Sequence, residues 1–393
     1  MSLFTSHLQK QLQQQQKSQR YRQRKIVETA QDVVIEMGGK QYLNFCSNDY
    51  LGLANHPRLI KRQKQALDLY GCGSGASHLV CGHSSAHHLL EEELAEFLGV
   101  ESVLLFSSGY MANLGVMSAI LTRHDSVFED RLNHASLIDA GIAAPAKMKR
   151  YAHADMGVLE QQLSVSGSPH KLIVSDAVFS MDGDIAPITD LVQLAEKYSA
   201  WLMLDDAHGF GVLGEQGRGS LEYCQLQPEQ VDIYMATLGK AMGVSGAFVA
   251  GSKALIETLI QFSRTYTYTT AMPAVLAETI RESLLLLQQE AWRREKLIEL
   301  IHYFRRCASQ LGIVLTDSST AIQPVMIGDN QTTMYLAEEL MNQGIYVAAI
   351  RPPTVPENTA RLRITLSANH QKENIDRLLD VLKKAMRAYN LCP

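Results

Sequence analysis

The sequence predicts an α/β protein: a large domain on a mostly parallel sheet with helices on both faces, and a smaller αβ unit. Three observations predict it. From about Ser84, short β-rich runs alternate with segments of helical periodicity. The turns that follow several of those runs are rich in glycine and polar residues. After Pro273 a long helical stretch leads into a second, shorter alternation of strand and helix patterns.

At 393 residues the chain exceeds one ordinary small domain, and 46% hydrophobic with 20% charged residues allows a sizeable core. The formal charge of −5 gives no reason to expect nucleic acid as a partner. No apolar run reaches the roughly 18 residues of a membrane span, and the polar N-terminus has no signal-peptide core. The six cysteines, Cys46, Cys72, Cys81, Cys224, Cys307 and Cys392, include no C-x-x-C pair. That pattern predicts reduced thiols in a cytoplasmic protein, with no disulfide framework and no metal site.

In chain order, residues 1–49 read as an N-terminal arm. Its first 25 residues are Gln-rich and carry six Lys or Arg with no acid. They read as a solvated helix, or as a segment from which Arg20, Arg22 or Arg24 reaches an anionic substrate. "QYLNF" reads as a strand running into a turn. Residues 50–275 form the expected large domain. There the helix "SSAHHLLEEELAEFLG" precedes the strand "SVLLF", the helix "YMANLGVMSAILTR" follows it, and "SVFED", "KLIVS", "WLMLD", "DIYMA" and "GAFVA" are further strands. Residues 276–393 form the expected small domain, with "AIQPVMIG", "IYVAAI" and "ARLRITLS" as strands and a closing helix from Lys372. The stretch "GCGSGA", Gly71–Ala76, has the wrong glycine spacing for a dinucleotide site and follows a helix pattern; it reads as a flexible substrate loop.

Ligands of open α/β sheets sit beyond the carboxyl ends of strands, which directs attention to five turns, "SSGYMAN", "RLNHAS", "DAVFSMDGD", "DDAHGFG" and "TLGKAMG". In "TLGKAMG", Lys240 stands among Gly, Leu, Ala and Met. Poor solvation favours the neutral amine, the form that attacks carbonyls, although an unremarkable surface lysine fits the same letters. In "DDAHGFG", Asp205 ends an apolar strand and His208 follows three residues later. A buried carboxylate needs a cationic partner, and a pyridinium nitrogen is one; metal coordination and helix capping are the other readings. In "SSGYMAN", the N–H groups of Gly109 and Tyr110 open a helix and suit a phosphate, to which Thr237 could add its hydroxyl; capping by Ser107 or Ser108 is the plainer account. His134 in "RLNHAS" could stack on a flat ring or simply be packed.

Taken in order, these motifs resemble the pyridoxal-phosphate enzymes of the aspartate-aminotransferase fold (fold type I), and within it the α-oxoamine synthases. The resemblance runs from about Gln41 to the last helix, through "LNFCSNDYLGL", "RLNHASL", "VFSMDGDIAP", "LDDAHGFGVLGEQGRG", "TLGKAMGVSGA" and "AIRPPTVPENTARLR". It is nearest to the biotin-pathway members that join L-alanine to a pimeloyl thioester, carried by CoA or by a carrier protein. The relatives that use glycine or serine are the alternative. The resemblance implies a seven-stranded, mostly parallel sheet in the large domain and pyridoxal 5'-phosphate as cofactor. It implies that Lys240 carries the cofactor, Asp205 pairs its ring nitrogen, His208 its phenolic oxygen, and His134 its ring. Ser180 would contact the cofactor, with Gly109, Tyr110 and Thr237 at it or its phosphate. Arg22, Asn48, His134, Arg351 and Thr354 would meet substrate, Arg351 offering a fork for a carboxylate. It also implies a homodimer with shared active sites, reached by "YTYTTAMP", Tyr266–Pro273. His78 departs from the pattern, since several relatives have arginine there.

Overall fold

The computed structural model describes residues 2–18 and 20–389; Cys392 lies outside them. Thirteen strands are present among the described residues. They are β1 (Val34–Met37), β2 (Lys40–Asn44), β3 (Ser102–Phe106), β4 (Ser126–Asp130), β5 (Lys147–Tyr151), β6 (Lys171–Asp176), β7 (Trp201–Asp205), β8 (Ile233–Thr237), β9 (Ala247–Gly251), β10 (Ile322–Gly328), β11 (Ile345–Tyr346), β12 (Ala348–Ile350) and β13 (Ala360–Thr365).

Seven of them make the main sheet in the order β3-β9-β8-β7-β6-β4-β5. Neighbours from β8 to β5 run parallel, and β9 is antiparallel to both β8 and β3. The period-two alternation of the strands sorts their side chains into two apolar layers. Leu202, Leu204, Phe128 and Phe248 face one layer with the helices Ser85–Leu98, Ile188–Lys197 and Ala274–Gln289. Met203, Val127, Val174 and Val249 face the other, with the helices Gly109–Ile120, Ala135–Ala143 and Lys253–Phe262. A sheet covered on both faces needs strands apolar on both faces, which is what "KLIVS" and "WLMLD" supply.

Strand β5, "KMKRY", escapes the sequence reading. It is a sheet edge paired only with β4, and its charged residues suit an open edge rather than a buried one. The run "IYVAAI", expected as one strand, is divided between two sheets. Ile345–Tyr346 pairs parallel with β2, and Ala348–Ile350 pairs antiparallel with β13. The chain changes sheet at Val347, which stitches the strands of the arm to the C-terminal part and delivers Arg351 at the end of β12.

One ion-paired histidine ties strand ends together near the site. His153 sets Nδ1 against the Asp130 carboxylate at the end of β4 (3.1 Å) and Nε2 against Asp184 (2.9 Å), in the turn after β6. Burial alone would lower its pKa, but the two carboxylates push it up to about 10. A raised pKa means that the clamp contributes fully below the unfolded value near 6.5 and fades as pH rises toward 10. His153→Gln should therefore lower the melting temperature by a few degrees near pH 6, and the gap to the parent should close by pH 10. A gap that stays constant across a thermal-melt pH series contradicts the clamp.

Candidate active site

The carboxyl ends of β6, β7 and β8 lie side by side, with Asp176 opposite Asp205 and Asp205 opposite Met235. Asp205 is buried. Its Oδ2 accepts from Asn113 Nδ2 (2.9 Å) and its Oδ1 from the Ala207 N–H (3.1 Å). Asn113 comes from the helix Gly109–Ile120, whose start Ser108 caps by accepting from the Met111 N–H. The same amide nitrogen also reaches Ser136 Oγ at 2.9 Å. Asp176 accepts from the His134 N–H (2.6 Å), and its own N–H donates to Asn133 Oδ1 (3.0 Å). Burial, then the neighbouring charge of Asp205, holds Asp176 well above the usual carboxylate range.

Lys240 sits in the tight turn after β8. Gly243 makes the turn possible: its φ is +68°, and a Cβ there would lie 2.6 Å from the Ala54 nitrogen. Lys240 Nζ meets His208 Nε2 at 2.8 Å, and His208 Nδ1 meets the Tyr50 hydroxyl at 2.5 Å. Tyr50 also reaches Asn48 Oδ1 (3.3 Å), which accepts from both Nη atoms of Arg363 (3.2 Å each). Donors line up along this chain, with Lys240 giving to His208, His208 to Tyr50, and Tyr50 to Asn48. Burial lowers Lys240 to about 8 against the upward pull of Asp205. Burial and the Lys240 charge hold His208 well below its ordinary value, so its imidazole is neutral, and burial pushes Tyr50 up to about 12.

His134 caps the helix Ala135–Ala143. Its Nδ1 accepts from the Ser136 N–H (3.2 Å) and meets Ser136 Oγ (2.8 Å), which fixes the ring at the rim of the site. Its surroundings lower its pKa by desolvation, while Asp205 pulls it back up. At the helix start, a Cβ on Gly109 would lie 3.6 Å from the Met235 methyl carbon of β8. Among the described residues the Gly109 and Tyr110 N–H groups make no hydrogen bond. The Tyr110 hydroxyl turns outward to Asp139. Thr237 Oγ1 donates to the Gly246 carbonyl (3.0 Å) and accepts from the Gly239 N–H (3.3 Å).

The remaining candidates fall into two groups. Asn48 and Ser180 are joined through Arg363, whose Nε donates to the Ser180 carbonyl at 2.6 Å. Arg22 of the arm donates to Thr354 Oγ1 at 3.1 Å, beside the Arg20–Glu357 ion pair. The Thr354 N–H donates to the carbonyl of Arg351 (3.0 Å), so these three residues share one loop and its arm.

Sequence reasoning missed Arg363, Tyr50, Asn113 and Asp176. Arg363 had a readable signal: "ARLRIT" is a strand whose residues 361 and 363 share a face, and both arginines are buried. A buried guanidinium demands partners, which here are the residues lining the site.

The arrangement fits an aldehyde cofactor with a basic ring nitrogen and a phosphate. It offers an amine poised near neutrality and a buried carboxylate met only by N–H donors. It adds an imidazole at the rim, unclaimed N–H groups at a helix start, and a buried Asn113 Oδ1 without a partner.

The chain matches the family model for class I and II aminotransferases over residues 40–382. It is 55% identical over 375 residues to the 8-amino-7-oxononanoate synthase of Nitrosococcus oceani, covering 95% of this chain and 100% of that one. A serine palmitoyltransferase from S. paucimobilis, solved with bound PLP and myriocin, superposes with a TM-score of 0.93 at 29% identity over the whole of both chains. The 8-amino-7-oxononanoate synthase of Francisella tularensis gives a TM-score of 0.78 at 30% identity, covering 89% of this chain and 99% of that one. The buried carboxylate, the low-pKa lysine and these likenesses agree: the chain belongs to the class I and II aminotransferase family, in its pyridoxal-phosphate-dependent 8-amino-7-oxononanoate synthase branch.

Proposed function

We propose that the chain joins L-alanine to the acyl carbon of a pimeloyl thioester, with loss of carbon dioxide, to give 8-amino-7-oxononanoate and a free thiol in biotin biosynthesis. The observation that carries this reading is the Lys240–His208 contact beside Asp205, in a chain 55% identical over 375 residues to a named synthase.

Pyridoxal phosphate, when bound, supplies an electron sink for the carbanion at the amino-acid Cα and for the later loss of carbon dioxide. Lys240 would hold its aldehyde, Asp205 its ring nitrogen, His134 its ring, and Ser180 and His208 its edge. Gly109, Tyr110 and Thr237 would hold the phosphate end. Once free, the Lys240 amine is the group placed to take the proton from Cα and return it. Its pKa of about 8 lets it do both near neutrality. Neutral His208 accepts from Nζ and so orients the amine without adding charge. Arg363 and Arg351 bring guanidinium groups for carboxylates, with Asn48 setting the angle of Arg363. Arg22 and Thr354, at the outer loop, are suited to the acyl substrate.

The thioester carrier is CoA or a carrier protein. The working unit is a homodimer in which Tyr266–Pro273 extends toward the partner's site, where the exposed Tyr268 would be covered. The five free cysteines of the described residues support a reducing, cytoplasmic setting.

Mass analysis of the product from alanine with pimeloyl-CoA, and separately with pimeloyl-carrier protein, tests the reaction. The aminoketone should appear with at least one carrier, and glycine or serine in place of alanine should give little. Product from glycine or serine but not alanine would move the chain to another α-oxoamine synthase activity. Lys240→Ala should stay folded and bind the cofactor without a covalent link, and lose about 10²–10⁴-fold in turnover. Borohydride treatment followed by peptide mass checks the link, and near-native turnover excludes the assignment. Asp205→Asn should lose turnover by a comparable factor with its melting temperature little changed; unchanged steady-state kinetics would contradict the pairing.

A further inference from the structure

Four histidines crowd into the stretch from His78 to His88, and the synthase reading uses none of them. Counting which ring nitrogens are committed separates their roles. His87 has none to spare: Nδ1 accepts from the Ser84 N–H (3.0 Å), and Nε2–H donates to the Met272 carbonyl (2.6 Å). His78 is buried and stacked on Tyr266, with ring centroids 4.9 Å apart, and its Nδ1 meets His83 Nδ1 at 3.0 Å. His83 Nε2 then faces Glu91 Oε2 at 3.9 Å, while the other oxygen of Glu91 accepts from the Leu105 N–H (3.0 Å). His88 stands three residues before Glu91 on the helix Ser85–Leu98, so both project from one face.

We propose that His83, His88 and Glu91 form a site for a divalent transition-metal ion of the zinc type, sharing no residue with the Lys240 site. One ligand atom from each of the three lies within 4.8 Å of the other two. Bonds of 2.0–2.1 Å in a tetrahedron set ligand atoms about 3.4 Å apart, so a small closure suffices. The exposed His88 side chain, whose Nε2 lies 3.4 Å from Glu92 Oε1, can supply it by turning from that surface pair. In the tautomer in which His83 donates Nδ1–H to His78, its Nε2 lone pair faces a Glu91 carboxyl oxygen. A cation held between that nitrogen and the carboxyl would be bound by both. His78 is then the outer partner that fixes the tautomer of a ligating histidine. Two histidines, one glutamate and a water complete a four-coordinate set familiar for zinc.

The site is wired to the segment that follows it in space. Ser77 bridges Thr270, and the Ala271 N–H donates to the carbonyl of Ala76 (2.9 Å). Metal binding would fasten the His78–Gly82 turn to the helix behind it, and with it Tyr266–Pro273. The expectation of no metal drawn from cysteine spacing did not weigh this histidine cluster.

The test is titration of tag-free, cofactor-loaded protein with Zn²⁺ by calorimetry and with Co²⁺ by visible absorption. One equivalent per chain should bind, with the intense visible bands of a tetrahedral cobalt site. His88→Ala, an exposed change that leaves the fold intact by circular dichroism, should weaken binding at least tenfold. His78→Phe, which keeps the stack on Tyr266 but removes the acceptor, should weaken it about 10–100-fold. His302→Ala, on another helix, should change nothing. Absence of binding to the parent protein, undiminished binding in His88→Ala, or equal losses in His88→Ala and His302→Ala would each overturn the site.

Discussion

A half-buried lysine amine, given no ion pair among the described residues, sets the terms for everything around it. Among the described residues the hydrogen-bond partner of Lys240 Nζ is a neutral imidazole. The nearby carboxylates of Asp205 and Asp176 pull its pKa upward, and burial pulls it down further. Asn113, Ala207 and the His134 N–H hold both oxygens of Asp205 and one of Asp176, and neither carboxylate pairs with the ammonium among the described residues. A direct salt bridge would have returned the amine to its ordinary range and removed its nucleophilic fraction near neutrality.

The sheet makes that compromise possible. Parallel strands end together, so β6, β7 and β8 present Asp176, Asp205 and Thr237 along one edge without any loop having to be long. Asp206, one residue beyond β7, is also buried; it accepts from the Ser220 N–H (2.6 Å) and the Tyr234 hydroxyl (2.7 Å), and burial raises it to about 6. Three carboxyl groups in one layer would be unsustainable in an apolar core if each relied on charge compensation. Neutral donors from helix starts and strand neighbours hold them instead, at a cost visible in orphaned atoms such as Asn113 Oδ1 and Asp206 Oδ1. Each such atom forfeits about 1–3 kcal/mol, which a scaffold this size can absorb.

What the sequence disclosed follows the range of the interaction. Strands buried on both faces announce themselves by apolar runs, so "SVLLF", "KLIVS" and "WLMLD" were legible. β5 was not, because an edge strand has no need of apolar residues. "IYVAAI" was legible as β structure, but not as two strands, since the switch at Val347 depends on partners three hundred residues away on β2. The site divides the same way. Lys240, Asp205 and His208 carry local signals in glycine-rich turns at strand ends. Tyr50 and Asn113 carry none: their partners are 158 and 92 residues distant, and a tyrosine in a turn or an asparagine in a helix looks ordinary until the chain folds. Arg363 lies 315 residues from Asn48, so its strand pattern was legible but its partner was not.

The histidines carry this furthest, because the residue type is identical and only the commitments differ. His208 gives Nε2 to a lysine and Nδ1 to a tyrosine, so its place is to hold an amine and a hydroxyl in register. His370 spends Nδ1 on the Ser367 N–H and Nε2 on the Asn44 carbonyl; it is a strut between strand ends. His87 is a strut of the same kind between a helix start and the Met272 carbonyl. His153 differs, since both nitrogens face carboxylates and the ring is held charged. In His83 one nitrogen is tied to a neutral imidazole while the other looks across a 3.9 Å gap at the Glu91 carboxyl. A divalent cation, which binds the unprotonated ring and the ionised carboxyl together, is the filler that this pairing favours.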